Sequence, residues 1–145
     1  MENNQLKVLV VDDDEDDIFL VKQMLKEGLP EADIILDYAM TSDDAIALIN
    51  SGEHDIFLLD LNLGKEDGLS LLEYINTKNK FIPVIFLTAQ GDQEKAVEAM
   101  KAGATDYLIK SSLSVVSLSH SIRSAIKLER ESAKSNSRVF TQDSG

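Results

Sequence analysis

The chain has no cysteine among its 145 residues, which excludes both a disulfide framework and any thiolate metal site. Basic residues are scarce. The 14 Lys and Arg face 26 Asp and Glu, leaving a formal net charge of −12. A nucleic-acid surface needs clustered Lys and Arg against phosphates, so no direct contact with nucleic acid is expected. No uninterrupted apolar stretch is long enough to cross a bilayer. The opening Met1-Glu2-Asn3-Asn4-Gln5 lacks the basic and apolar regions of a signal peptide. A soluble cytoplasmic protein with no membrane partner is the default expectation. Histidine is rare too: His54 and His120 each stand alone in a polar context, and neither is expected to be a catalyst. What is present is the length of one domain, with 43% hydrophobic residues for an ordinary core.

Short apolar runs at residues 6–11, 34–38, 56–59, 84–87 and 107–109 alternate with longer amphipathic segments. The segments predict helices at 15–28, 42–51, 67–77, 93–102 and 113–130. Helix punctuation agrees. Gly28 precedes Leu29-Pro30 as a stop, Thr41-Ser42-Asp43-Asp44 carries N-cap chemistry, Asp92 opens the fourth helix and Gly103 closes it. Five strand–helix units in series imply a parallel sheet covered by helices on both faces. The first and third runs are the most apolar and belong at the centre. The expected strand order is therefore 2-1-3-4-5, with a topological switch point between the first and third strands. After about Lys127 the apolar stripe fades, so residues 1–130 are expected to form the domain and 131–145 a frayed helix or disordered tail.

Four of these runs end in chemically distinctive residues: Leu9-Val10-Val11-Asp12-Asp13, Ile56-Phe57-Leu58-Leu59-Asp60, Val84-Ile85-Phe86-Leu87-Thr88 and Tyr107-Leu108-Ile109-Lys110. Parallel strands would bring all four ends to one edge, where ligands of open α/β sheets bind. Three carboxylates, a hydroxyl and an ammonium suit a hard divalent cation and a phosphoryl group. Asp12 and Asp13 read as metal-binding acids. Asp14, Glu15, Asp16 and Asp17 continue the run and read as solvated acids complementing a helix dipole.

Asp60 would be an ordinary strand-end acid if isolated. Opposite the acid pair it becomes a candidate nucleophile, able to attack phosphorus and form an aspartyl phosphate. Lys110 would project into the same edge, holding Asp60 first and a phosphoryl oxygen afterwards. Thr88 either caps the following helix or donates its hydroxyl to the phosphoryl group. Ala89 is small enough to leave room beside the acid, and its N–H could point inward. Tyr107 is either a half-buried packing aromatic or a switch.

The chain resembles the receiver domain of two-component response regulators over about residues 6–126. The resemblance rests on Leu9-Val10-Val11-Asp12-Asp13, on Asp60-Leu61-Asn62-Leu63 with Asp67-Gly68 behind it, on Pro83-Val84-Ile85-Phe86-Leu87-Thr88-Ala89, and on Ala102-Gly103-Ala104-Thr105-Asp106-Tyr107-Leu108-Ile109-Lys110. It implies a three-layer, doubly wound (βα)5 flavodoxin-like sandwich. It also implies Asp60 as the phosphoacceptor and Lys110 as the phosphoryl-binding lysine. Thr88 and Tyr107 would be the coupled switch residues. Mg2+ (or Mn2+) would be held by Asp13 and Asp60 directly, by Asp12 through water, and by the backbone carbonyl of Asn62. Two positions depart from the family pattern. Gly64 stands where a proline is usual, leaving that loop more backbone freedom. Ser111 follows Lys110 where the family has a proline, often after a cis bond, so a trans Lys110–Ser111 bond is expected.

The function implied is phosphotransfer from the phosphohistidine of a sensor histidine kinase or histidine phosphotransfer protein to Asp60. Slow self-hydrolysis would follow, with Asn62 and Gln90 as modulators of its rate. An unidentified downstream protein would read the face at residues 92–126. A phosphorelay shuttle and a pseudo-receiver that is never phosphorylated remain alternatives within this class. A small metal-dependent phosphatase of the haloacid-dehalogenase type would carry a second Asp where Asn62 stands. A flavodoxin-like nucleotide binder would need a Gly/Ser/Thr-rich loop after the first strand, where this chain places acids from Asp12 to Asp17.

Overall fold

The computed structural model describes residues 4–78 and 81–128. The first three apolar runs form strands β1 (Gln5–Val11), β2 (Asp33–Ala39) and β3 (Ile56–Asp60). A small antiparallel pair follows, β4 (Asn62–Leu63) with β5 (Glu66–Asp67), and then β6 (Val84–Thr88) and β7 (Asp106–Ile109). The helices are α1 (Glu15–Gly28), α2 (Ser42–Ser51), α3 (Gly68–Asn76), α4 (Gln93–Lys101) and α5, residues 115–128. The last two residues of the predicted fifth helix, 129 and 130, and the predicted tail at 131–145 lie outside the described residues.

Local chemistry accounts for the helix starts. The side chains of Asp14, Thr41 and Asp67 each accept a hydrogen bond from a backbone N–H in the first turn of α1, α2 and α3. Asp92 also precedes a helix but does not cap it with its side chain. Gly103, at φ +113°, turns the chain away after α4, a conformation that would strain any residue with a Cβ.

The main sheet runs β2-β1-β3-β6-β7, and every pairing is parallel. This is the expected order, since β4 and β5 lie outside the sheet and only shift the numbering. The two faces alternate along each strand as the period of two requires. Leu9, Val11, Phe57, Leu59 and Phe86 face α2, α3 and α4, where Ala45, Leu71, Leu72, Ile75, Ala96 and Ala99 meet them. Val8, Val10, Ile56, Leu58, Ile85 and Leu87 face α1 and α5, against Ile18, Val21, Leu25, Leu118 and Ile122. Both clusters are closed to solvent, and all residues of β3 and β6 are buried.

Register sets the working edge. Val11 pairs with Leu59, Asp60 with Leu87 and Thr88 with Ile109. Asp12, Asp60, Thr88 and Lys110 thus fall within two residues of one level, all at the carboxyl ends.

The β4–β5 pair was not expected. Its two-residue turn is Gly64-Lys65, with Gly64 at φ +65°. Only glycine takes the first position of such a primed turn without strain, and Lys65 keeps a negative φ. Gly64 therefore builds a tight turn here instead of loosening the loop. His54 also differs from its reading as a residue standing alone. It is buried at the opposite end of the sheet, with Nε2 2.8 Å from Asp37 Oδ2 and its ring packed against Phe57.

Candidate functional site

Asp12 leaves β1 with its backbone still in the sheet, donating its N–H to the Ala39 carbonyl at 3.0 Å. Its side chain is 1% exposed. Oδ1 accepts from the Asp14 N–H at 2.9 Å, and Oδ2 accepts from Lys110 Nζ at 2.8 Å. Asp60 ends β3 at 7% exposure. Its Oδ1 accepts from the Asn62 N–H at 3.0 Å, and its Oδ2 from Lys110 Nζ at 3.2 Å. Asp13 completes the trio from an exposed position: one carboxylate oxygen from each of Asp12, Asp13 and Asp60 lies within 4.8 Å of the others. All-oxygen, anionic donors at one solvent-facing edge fit a hard divalent cation such as Mg2+.

Burial governs the charge states. Desolvation pushes the Asp60 carboxyl up to about 6, against the Asn62 N–H and the Lys110 charge that favour the anion. Asp12 is raised by the same cause. Burial disfavours the Lys110 ammonium, yet its bonds to Asp12 and Asp17 and the charge of Asp60 outweigh that and raise its pKa. Lys110 is therefore a permanent cation within bonding distance of the nucleophile candidate.

One reading from the sequence is corrected here. Asp17 is not a free helix-dipole acid, because its Oδ2 lies 2.8 Å from Lys110 Nζ. The strand alternation explains the reach: Ile56 and Leu58 face α1, so Asp60, two residues on, looks toward the same helix. That parity was available in the sequence. It was masked by the run of acids, any of which suits a helix N-terminus.

Asn62, noted as a modulator and for its backbone carbonyl, has a further engagement. Its Nδ2 donates to Asp92 Oδ2 at 2.7 Å, and its Oδ1 accepts from Lys95 Nζ at 3.0 Å. The Asp92 side chain is thus engaged across the loop and does not cap its own helix. Asp92 and Lys95 were missed as site neighbours, and nothing in their sequence context marks them. Thr88 is buried, and its hydroxyl makes only a long bond, 3.4 Å, to the Ala89 carbonyl. Ala89 and Gln90 lie exposed in the loop before α4. Phe86 pairs with Tyr107, so Thr88 and Tyr107 share the sheet face covered by α4, where Tyr107 packs half-buried on the core. Lys110 opens a short 3-10 turn, Lys110–Ser112, and its bond to Ser111 is trans as expected, no cis peptide occurring among the described residues.

A buried carboxylate with a raised pKa, a fixed ammonium and a cation-competent acid trio can accept and neutralise an electrophilic phosphoryl group. The family profile described as the response regulator receiver domain matches residues 8–123. The chain is 35% identical over 119 residues to the regulatory protein LuxO of Vibrio cholerae, covering 80% of this chain and 26% of that protein. It is 34% identical over 109 residues to the transcriptional regulatory protein ResD of Bacillus subtilis, covering 75% and 43%. This chain thus spans less than half the length of either relative. Among solved structures, a response regulator receiver domain protein from Clostridium thermocellum superposes with a TM-score of 0.76 at 28% identity, covering 86% of this chain and 97% of that one.

Proposed function

Because this chain belongs to the response regulator receiver domain family, we propose that Asp60 accepts a phosphoryl group from the phosphohistidine of a sensor histidine kinase or a histidine phosphotransfer protein. The observation that carries the reading is Lys110 Nζ, which meets Asp12 at 2.8 Å and Asp60 at 3.2 Å beside the acid trio. In the transfer an Asp60 carboxylate oxygen attacks phosphorus. A P–O bond forms, the P–N bond breaks, and its electron pair leaves on the imidazole nitrogen, which takes up a proton.

Asp12, Asp13, Asp60 and the Asn62 carbonyl would hold Mg2+ (or Mn2+), which when bound offsets negative charge on the phosphoryl oxygens. Lys110 supplies fixed positive charge at the same oxygens, so the protein's part is positioning and electrostatics. The weakly engaged Thr88 hydroxyl and the Ala89 N–H are free to turn toward the phosphoryl group. Movement of Thr88 opens space on the α4 side of the sheet, into which Tyr107 rotates. That change rewrites the surface at residues 92–126, where a downstream protein binds. Water attack on the acyl phosphate then resets the switch, at a rate tuned by Asn62 and Gln90. Residues 1–130 form this switch module, working in the cytoplasm.

The test is incubation with Mg2+ and acetyl phosphate, read by intact mass. The expected result is one labile adduct of about 80 Da on the nucleophile, dependent on Mg2+ and lost in Asp60→Asn. An adduct that survives Asp60→Asn overturns the assignment. If acetyl phosphate gives none, a phosphorylated histidine phosphotransfer protein is offered, and continued absence marks a module that is never phosphorylated.

A further inference from the structure

Lys110 carries three N–H donors, and all three are engaged by carboxylates: Asp12 at 2.8 Å, Asp17 at 2.8 Å and Asp60 at 3.2 Å. Charge-assisted bonds of this kind settle at about 2.7–2.9 Å. The two to Asp12 and Asp17 are in that range and the one to Asp60 is not. The ammonium therefore leans toward α1 and away from the residue it faces across the sheet edge. Asp12 belongs to the cation-competent trio, but Asp17 does not. Among the described residues Asp17 has no other side-chain partner, and its side chain is 34% exposed, so it gives up the contact at little cost.

We infer that Asp17 is a positioning residue that holds Lys110 back in the resting protein and competes with the phosphoryl group for its ammonium. The inference rests on the phosphoacceptor reading of Asp60 and deepens it. A phosphoryl oxygen arriving on Asp60 inherits the longest of the three bonds, from an ammonium that the two shorter ones hold back. Asp12 stays engaged, since it is the more deeply buried carboxylate and loses most by being left unpaired. Asp17 is the partner that yields, turning outward to water as Lys110 swings toward Asp60. Its carboxylate thus lowers the site's affinity for a bound phosphoryl group and biases the unmodified chain toward rest.

The probe is beryllofluoride at saturating Mg2+, a tetrahedral mimic of the phosphoryl group on a carboxylate, titrated by calorimetry. Wild type, Asp17→Asn and Asp16→Asn are compared. Both substitutions remove one negative charge from the same turn of α1. Asp16 is exposed and is not bonded to Lys110, so it reports the general charge effect. The expected result is tighter binding in Asp17→Asn, by about threefold or more, the scale of one partly exposed ion pair. Asp16→Asn should change it by less than that. Damage to the site weakens binding, so a gain cannot arise from a merely structural role. Equal behaviour of the two variants, or weaker binding in Asp17→Asn, overturns the inference while leaving the phosphoacceptor reading intact. A folded wild-type chain that takes up no beryllofluoride with Mg2+ overturns both.

Discussion

Asn62 and Asp92 stand thirty positions apart in the chain, and their side chains meet at 2.7 Å. Lys95 closes the same contact from the next part of α4. The loop that follows Asp60 and the start of α4 are therefore one hydrogen-bonded unit. Under the proposed function, this connection would carry a change at Asp60 to the 92–126 surface alongside the Thr88 and Tyr107 route.

Cutting that link should loosen α4 without unfolding the domain. In Asn62→Ala, amide exchange in residues 93–96 is expected to quicken by up to about tenfold, the equivalent of roughly one net hydrogen bond. Exchange in β3 and β6 should stay as slow as in wild type. Hydrogen–deuterium exchange by mass spectrometry reads both, and unchanged exchange at the start of α4 would mean the contact carries no coupling.

Gly68 begins α3 with its N–H on the Leu61 carbonyl at 2.8 Å, and a Cβ added there would run into the Asp60 carbonyl oxygen. That obstacle is backbone and cannot rotate away. Gly68→Ala is expected to cost about 2 kcal/mol of stability and to displace the Asp60 loop. Urea unfolding gives the first quantity, and Mg2+ affinity of the folded variant reports the second. A variant as stable as wild type would show that the loop yields freely.

The acid trio strains the metal-free fold. Asp13 is the exposed member, so its replacement perturbs packing least. Asp13→Asn should raise the melting temperature in chelator and reduce the rise produced by Mg2+, because the cation stabilises by binding the folded state alone. A lower melting temperature in chelator would contradict the repulsion.

Folding lifts the Asp60 carboxyl from 3.8 to about 6, so between those values the folded chain holds more proton than the unfolded one. Stability of the metal-free protein is then lost as pH rises from about 4 through 6, and Asp60 adds nothing further above that. Asp60→Asn removes this titration. The stability gained by the variant over wild type should grow across that window by on the order of 3 kcal/mol. Parallel urea midpoints from acid to neutral pH would contradict the burial argument.

Much of this was legible in the sequence, for physical reasons. The apolar runs ending in Asp12, Asp60, Thr88 and Lys110 could be placed at one edge, because parallel strands linked by helices align their carboxyl ends. The start of α2 followed from Thr41, whose short acceptor side chain caps where it stands, while the caps at Asp14 and Asp67 went unremarked among other acids. The β4–β5 pair escaped notice because two residues per strand are too few for any periodicity. Asp17 escaped because its type is equally at home on a solvated helix end. His54 was misjudged because its partner, Asp37, lies on another strand. Lys95 is an ordinary lysine until the fold sets it beside Asn62.

The bond from Lys110 to Asp12 spans ninety-eight positions, and the one to Asp60 spans fifty. The counter-charge for the buried acids is thus among the last parts of the domain to leave the ribosome. Until β7 docks, Asp12 and Asp60 can be sequestered from water only as costly unpaired carboxylates, which penalises early closure of the sheet. A chain that has not yet delivered Lys110 has no assembled counter-charge for Asp12 and Asp60.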